Sequence, residues 1–145
     1  MYYFDPEGNN KYTIFAMQNG ERNYEMSFSG ALDSSTQAIT INTVSNYPAN
    51  GIIIPALVVD PASGIEYSVL INPTRSPFAN LGVENASISF VSVEGKKVAP
   101  TSAILSNLFN HNTGTEFVSI DLSGLDTSSV TSMGELFYSC RKLEF

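Results

Sequence analysis

Apolar and polar residues alternate along this chain, interrupted at short intervals by turn-forming residues, and this alternation is what most constrains its fold. Tyr24, Met26 and Phe28 lie two residues apart, which places them on one face of a strand. The preceding Asn19 and Gly20 predict a hairpin because both residues tolerate positive φ. Further strands are predicted over the segments 12–17, 38–44, 52–59, 66–71 and 87–93. The first part of the chain is therefore predicted to consist mostly of β-strands.

The apolar run 52–59 contains Pro55, which predicts an edge strand or a bulged strand because proline has no amide hydrogen to donate. It is the longest apolar stretch of the chain, and it is much shorter than the ~20 residues of a membrane-spanning helix. We therefore expect no transmembrane helix and no membrane insertion by this chain. The opening residues 1–7 show no basic region followed by an apolar one, so no export signal is visible in this sequence.

Length and charge limit the classes of partner. A chain of 145 residues favours one domain with a substantial hydrophobic core. Seven basic residues against 14 acidic ones give a net charge of −7, which argues against nucleic acid and anionic lipid as partners. Only 14% of the residues are charged, a composition that suits strands and turns better than surface helices. Cys140 is the only cysteine, which excludes an intrachain disulfide and a cysteine-based zinc cluster.

The pattern changes after residue 100. Two hydroxyl residues can cap a short helix over 103–109, where apolar residues fall at helical spacing. The segment 117–122 predicts a strand and the segment 123–129 a turn. Apolar residues spaced three and four apart predict a second short helix over 130–137. A strand, a turn and a short helix are thus expected to recur in one order.

Two dipeptides repeat at one interval in this part of the chain. Leu108-Phe109 recurs 28 residues later as Leu136-Phe137, and Glu116-Phe117 recurs 28 residues later as Glu144-Phe145. An earlier unit opens at Phe78, 31 residues before Phe109. Periods of this length are typical of proteins built from stacked units, each of which buries its apolar face only against its neighbours.

The stretch 120–143 runs Ile-Asp-Leu-Ser, then Leu-Asp-Thr-Ser-Ser-Val-Thr-Ser-Met, then Leu-Phe-Tyr-Ser-Cys-Arg-Lys-Leu. It resembles the BspA-like leucine-rich repeats of bacterial surface proteins. Residues 11–69 resemble the N-terminal cap of that family more loosely. The insert 111–115 departs from the family pattern, because it replaces a smaller loop and its cysteine.

This resemblance implies a β-dominated α/β fold, a leucine-rich-repeat-like solenoid. Residues 1–72 would form a β-rich N-terminal cap and residues 73–145 irregular repeats, truncated at the C-terminal end. Strands over 88–92 and 118–122 are then expected to lie parallel in one sheet. Because Phe145 stands where the next strand would begin, we expect either an N-terminal fragment or a subunit whose open end is covered.

Candidates for a ligand-binding surface are polar residues of predicted strands, one aromatic residue and the single histidine: Ser119, Asp121, Ser89, Tyr24 and His111. Each has a plainer interpretation. Strand aromatics such as Tyr24 can stack on ligands, but they more often fill a core. Asp121 suits a local turn as well as a binding surface. His111 lies in a polar insert, where exposed loop residues are common, and Cys140 occupies a position typical of buried packing.

No spacing in the sequence predicts a catalytic group, a cofactor or a metal site. We therefore predict a non-catalytic, cell-surface or secreted recognition module that binds protein or glycan ligands through a repeat surface. The adhesion role and the extracellular location are implied by the resemblance alone. The alternative is a structural, self-assembling subunit of a fibre or surface layer, which would use the open end of the solenoid and an edge strand.

Overall fold

A computed structural model describes residues 1–46, 48, 51–79, 81–109, 115–134 and 136–137. Every regular element within these residues is a β-strand. In chain order the strands are β1 (Tyr2–Gly8), β2 (Lys11–Gln18), β3 (Glu21–Asp33), β4 (Ala38–Val44), β5 (Ile52–Pro55), β6 (Leu57–Val59), β7 (Glu66–Ile71), β8 (Ala86–Val91), β9 (Ala99–Pro100) and β10 (Phe117–Asp121).

Six of these strands close into a barrel. The sheet runs β4-β3-β2-β1-β6-β7, and a further pairing of β4 with β7 completes the ring. β1 to β4 form an antiparallel meander, whereas β1 pairs with β6 and β4 with β7 in the parallel sense. The short strand β9 pairs in parallel with the last two residues of β7, beyond the part of β7 that pairs with β6. Closure leaves the barrel with almost no free strand edge.

The hairpin between β2 and β3 confirms the turn prediction. Asn19 and Gly20 have φ angles of 53° and 80°, which is the left-handed region that a two-residue hairpin turn needs.

A second glycine, Gly30 of β3, is needed for a different reason. A Cβ on Gly30 would lie 1.9 Å from the Thr40 carbonyl oxygen, so β3 and β4 approach more closely there than any side chain permits.

Alternation along the strands fills the barrel. Tyr24, Met26 and Phe28 of β3 are buried on one face, while Glu25 between them is exposed. The inward residues of the other strands complete this core, among them Phe4, Tyr12, Ile14, Ile39, Ile41, Tyr67, Val69 and Ile71. The aromatic residues near the N-terminus are therefore mostly packing residues.

The remaining long strands form a three-stranded parallel sheet in the order β10-β8-β5. Ile52, Ile88 and Ile120 stand side by side across it on the inner face. The narrower prediction that the segments 88–92 and 118–122 are parallel neighbours is confirmed by this register. Pro55 ends β5, which is an edge strand of this sheet, as its proline predicts, and the chain then enters the barrel at Leu57.

A column of phenylalanines runs beside the parallel sheet. Phe109 stacks on Phe78 with ring centroids 5.9 Å apart and on Phe137 with centroids 6.0 Å apart. The phenylalanines that mark the sequence repeat thus stack at successive positions, and Phe109 is completely enclosed. We call these three residues the phenylalanine column.

The predicted fold class is wrong. The protein is a closed six-stranded barrel with a small parallel sheet, whereas an open α/β leucine-rich-repeat solenoid was expected. The segment 103–109 forms turns, and its backbone bonds sideways: Leu105 N–H donates to the Ser132 carbonyl, and Thr131 N–H donates to the Ala103 carbonyl. The described residues of 130–137 likewise contain only a bridge and turns. Backbone hydrogen bonds between the segments 103–105 and 131–132 thus replace the hydrogen bonds within a helix that the apolar spacing predicted.

The predicted division at residue 72 can be compared with the positions of the strands. The six barrel strands all lie between Tyr2 and Ile71, but β5 pairs with β8 and β7 pairs with β9 across that division. The two parts also share one hydrophobic cluster.

Candidate functional site

The outer face of the parallel sheet gathers three of the five candidate residues. Ser89 lies in register with Asp121 on one side and with Ile53 on the other. Ser119 of β10 lies in register with Ser87 of β8. We call these five residues the outer polar face. Ser119 and Asp121 are exposed, and the other three are partly buried.

Buried side chains of the same strands hold this face in place. The alternate residues Ala86, Ile88 and Phe90 of β8 are buried and point into the core, so the serines between them must point outward. Gly51 also packs against the face, since a Cβ there would lie 2.3 Å from the Ser87 Oγ. The spacing is that of a sheet, about 4.8 Å between strands and about 6.6 Å between alternate residues of a strand.

Local hydrogen bonds lower the pKa of two carboxyls, Asp121 on the outer polar face and Asp126 in the turn that follows β10. The Ser123 amide donates to Asp121 Oδ1 over 2.9 Å, and this bond lowers the pKa of the Asp121 carboxyl. Asp126 forms the same kind of turn with Ser128, whose side chain and amide lower the pKa of that carboxyl. Both carboxyls are therefore ionised at neutral pH. The turn interpretation of Asp121 and its place on the outer polar face are compatible.

Tyr24 does not lie on a ligand-accessible surface. Its side chain is buried, and its hydroxyl donates to the Ile53 carbonyl over 2.7 Å while accepting from the Ile53 amide over 2.8 Å. Burial raises the pKa of this hydroxyl well above its usual range, so it keeps its proton. Tyr24 joins barrel strand β3 to β5 of the parallel sheet. No sequence signal could have indicated this contact, because the two residues are 29 positions apart.

His111 and Cys140 lie outside the described residues. The proposed role of His111 in a ligand surface is therefore still a prediction.

The structure also shows a cleft that the sequence did not indicate. Its volume is about 480 Å³, and it lies beside β7 and β9 against the turn that carries Lys96 and Lys97. Asp126 lines the same cleft, and the nearby charge of Lys97 contributes to lowering the pKa of the Asp126 carboxyl. The cleft is open and mixed in polarity.

Other classes of site are not seen in the part of the chain that the structure describes. The acidic side chains described there form no cluster of three or more that could hold a metal ion. Among the same residues there is no helix long and apolar enough to cross a membrane. Comparison with family models, with curated proteins and with solved structures finds no match for this chain.

Proposed function

We propose that this protein is a non-catalytic recognition module that binds a protein or glycan ligand through the outer polar face. The observation that carries the proposal is the outward row of serine hydroxyls and one carboxylate on adjacent parallel strands. Hydroxyl groups both donate and accept hydrogen bonds, and a carboxylate accepts them, so the row suits a ligand rich in hydroxyl or amide groups.

The setting of the row supports the same role. Ser87 and Ser89 stand on β8, whose intervening side chains are buried, so these two serines have little freedom to lose when a ligand binds. Ile53 adds an apolar contact at one end of the row, where a sugar ring or an aliphatic side chain could pack. The central strand of the site is thus ordered before the ligand arrives.

An extracellular location belongs to the proposal as well. It rests on the resemblance of the stretch 120–143 to repeats of bacterial surface proteins. That resemblance is one of sequence, and the fold differs from the expected solenoid.

The test is binding of the labelled protein to a printed glycan array and to a panel of purified extracellular-matrix proteins. The double variant Ser87→Ala, Ser89→Ala should reduce the signal at least tenfold, since it removes the hydroxyls of the central strand. The matched control is Ser29→Ala, Thr43→Ala, which removes a cross-strand hydroxyl pair from the outside of the barrel. Absence of binding by the unaltered protein at micromolar concentration, or equal losses in both double variants, would overturn the proposal.

A further inference from the structure

The two edges of the parallel sheet differ in what covers them. On the β5 edge, the amide and carbonyl of Ile53 both bond to the Tyr24 hydroxyl, so the barrel closes that edge. On the other edge, β10 pairs with β8 on one side, and no described strand pairs with its other side. A strand edge of this kind presents unpaired amides and carbonyls to other chains.

β10 carries few of the features by which proteins protect a free edge. Residues 117–122 contain no proline and no lysine or arginine, and Asp121 is their only charged residue. The inner side chains at this edge are also less covered than those behind them. Ile52 and Ile88 are each 1% exposed, whereas Ile120 is only partly buried, and Phe137 at the end of the phenylalanine column is 38% exposed.

We propose that β10 pairs antiparallel with β10 of a second copy of this chain across a two-fold axis that passes through the Ile120 pair. The two parallel sheets then form one continuous sheet of six strands. In this register Ser119 of one copy lies directly opposite Asp121 of the other, and this pair occurs twice. A hydroxyl facing a carboxylate is a favourable cross-strand pair.

The symmetry keeps like surfaces together. A two-fold axis perpendicular to a sheet leaves each face on its own side, so the two Ile120 side chains meet on the inner face and the two outer polar faces adjoin. The two Asp121 carboxylates are roughly 8 Å apart, about one Debye length at physiological ionic strength. The only charge on the edge therefore does not oppose itself directly.

The assembly closes at two copies. A copy added in the parallel sense would have to present the outer edge of its own β5, and Tyr24 occupies that edge. Only the β10 edges can then meet, and a self-complementary contact of this kind ends growth. This distinguishes the proposal from the fibre or surface-layer subunit that the sequence suggested.

The experiment is sedimentation equilibrium over a concentration series, with Ser119 replaced by residues of opposite charge. Ser119→Lys places an ammonium opposite Asp121 twice and should tighten the dimer about tenfold. Ser119→Asp places like charges opposite each other and should weaken it by a similar factor. Ser34→Lys and Ser34→Asp, in the exposed turn between β3 and β4, make the same changes in net charge away from the edge.

The unaltered protein is also examined by hydrogen exchange, which needs no variant. Amides of β10 should become protected as concentration rises, and added salt should strengthen association because each copy carries a net charge of −7. Either a monomer at every concentration or equal effects at positions 119 and 34 would overturn the proposal. Protection of β10 at every concentration would also overturn it, since the edge would then be covered from within one chain. The Ser87→Ala, Ser89→Ala variant should dimerise normally, which separates this proposal from ligand binding.

Discussion

The barrel and the parallel sheet satisfy their backbone groups in different ways. In the barrel, β1 and β6 on one side and β4 and β7 on the other complete the ring, so backbone bonding closes on itself. The parallel sheet has two edges, of which one bonds to the Tyr24 hydroxyl and one is open among the described residues. One chain thus combines a barrel whose backbone bonding closes on itself with a sheet that keeps one edge unpaired among the described strands.

Their cores also differ. The barrel core is built from alternate residues of strands that are neighbours in sequence, as in β2 and β3. The core beside the parallel sheet is built from residues that recur about 30 positions apart, as in the phenylalanine column. The barrel is therefore stabilised mainly by contacts within hairpins. In the parallel part, each repeat unit is stabilised by packing against the units beside it.

The largest effect is expected in the phenylalanine column. Phe109→Ala should lower the free energy of unfolding by about 4 kcal/mol, because it leaves a cavity at the point where the rings of Phe78, Phe90, Phe117 and Phe137 meet. Chemical denaturation followed by circular dichroism measures the change.

Phe137→Ala is the matched control, since this ring ends the column and is 38% exposed. Its loss should cost about 1 kcal/mol. Equal costs at positions 109 and 137 would show that the column does not support the parallel part layer by layer.

The next largest loss of stability is expected where β3 and β4 of the barrel approach each other closely. Gly30→Ala should cost about 3 kcal/mol, because the new Cβ would lie 1.9 Å from the Thr40 carbonyl oxygen and the strands would have to separate. Thermal unfolding provides the measurement. Gly20→Ala, in a turn with open space around it, should cost only about 1 kcal/mol for its positive φ. A cost at position 30 no greater than at position 20 would contradict the close approach of β3 and β4.

The smallest effect lies at the junction of the two parts. Tyr24→Phe removes the hydroxyl that bonds both the amide and the carbonyl of Ile53, and it should cost about 2 kcal/mol. Hydrogen exchange at the Ile53 amide should accelerate in the same variant.

Tyr67→Phe serves as the control, because Tyr67 is also buried in the core cluster and its hydroxyl has no hydrogen bond to any residue that the structure describes. If both variants lose the same stability, the Tyr24 hydroxyl does not join the barrel to the parallel sheet.

Much of the local structure could be predicted from sequence, because it depends on interactions between residues that are close together in the chain. The turn at Asn19 and Gly20 and the strand around Met26 depend on residues within a few positions, and both predictions hold. The helix predicted over 103–109 is wrong because apolar spacing cannot distinguish a helix from turns whose backbone bonds to the next layer. Of the candidate site, Ser89, Ser119 and Asp121 come together through the register of β8 and β10, whereas Tyr24 is buried elsewhere.

The sequence by itself determined the strands, the hairpin and the interval between Phe78, Phe109 and Phe137, because periodicity and turn chemistry are local properties of the chain. Only the tertiary structure decided that six strands close into a barrel and that Tyr24 covers one edge of the parallel sheet. Both decisions depend on contacts between segments far apart in sequence, such as Tyr3 with Val59 and Tyr24 with Ile53. Which backbone groups bond to each other, and which stay available to a partner, is settled only when those segments meet.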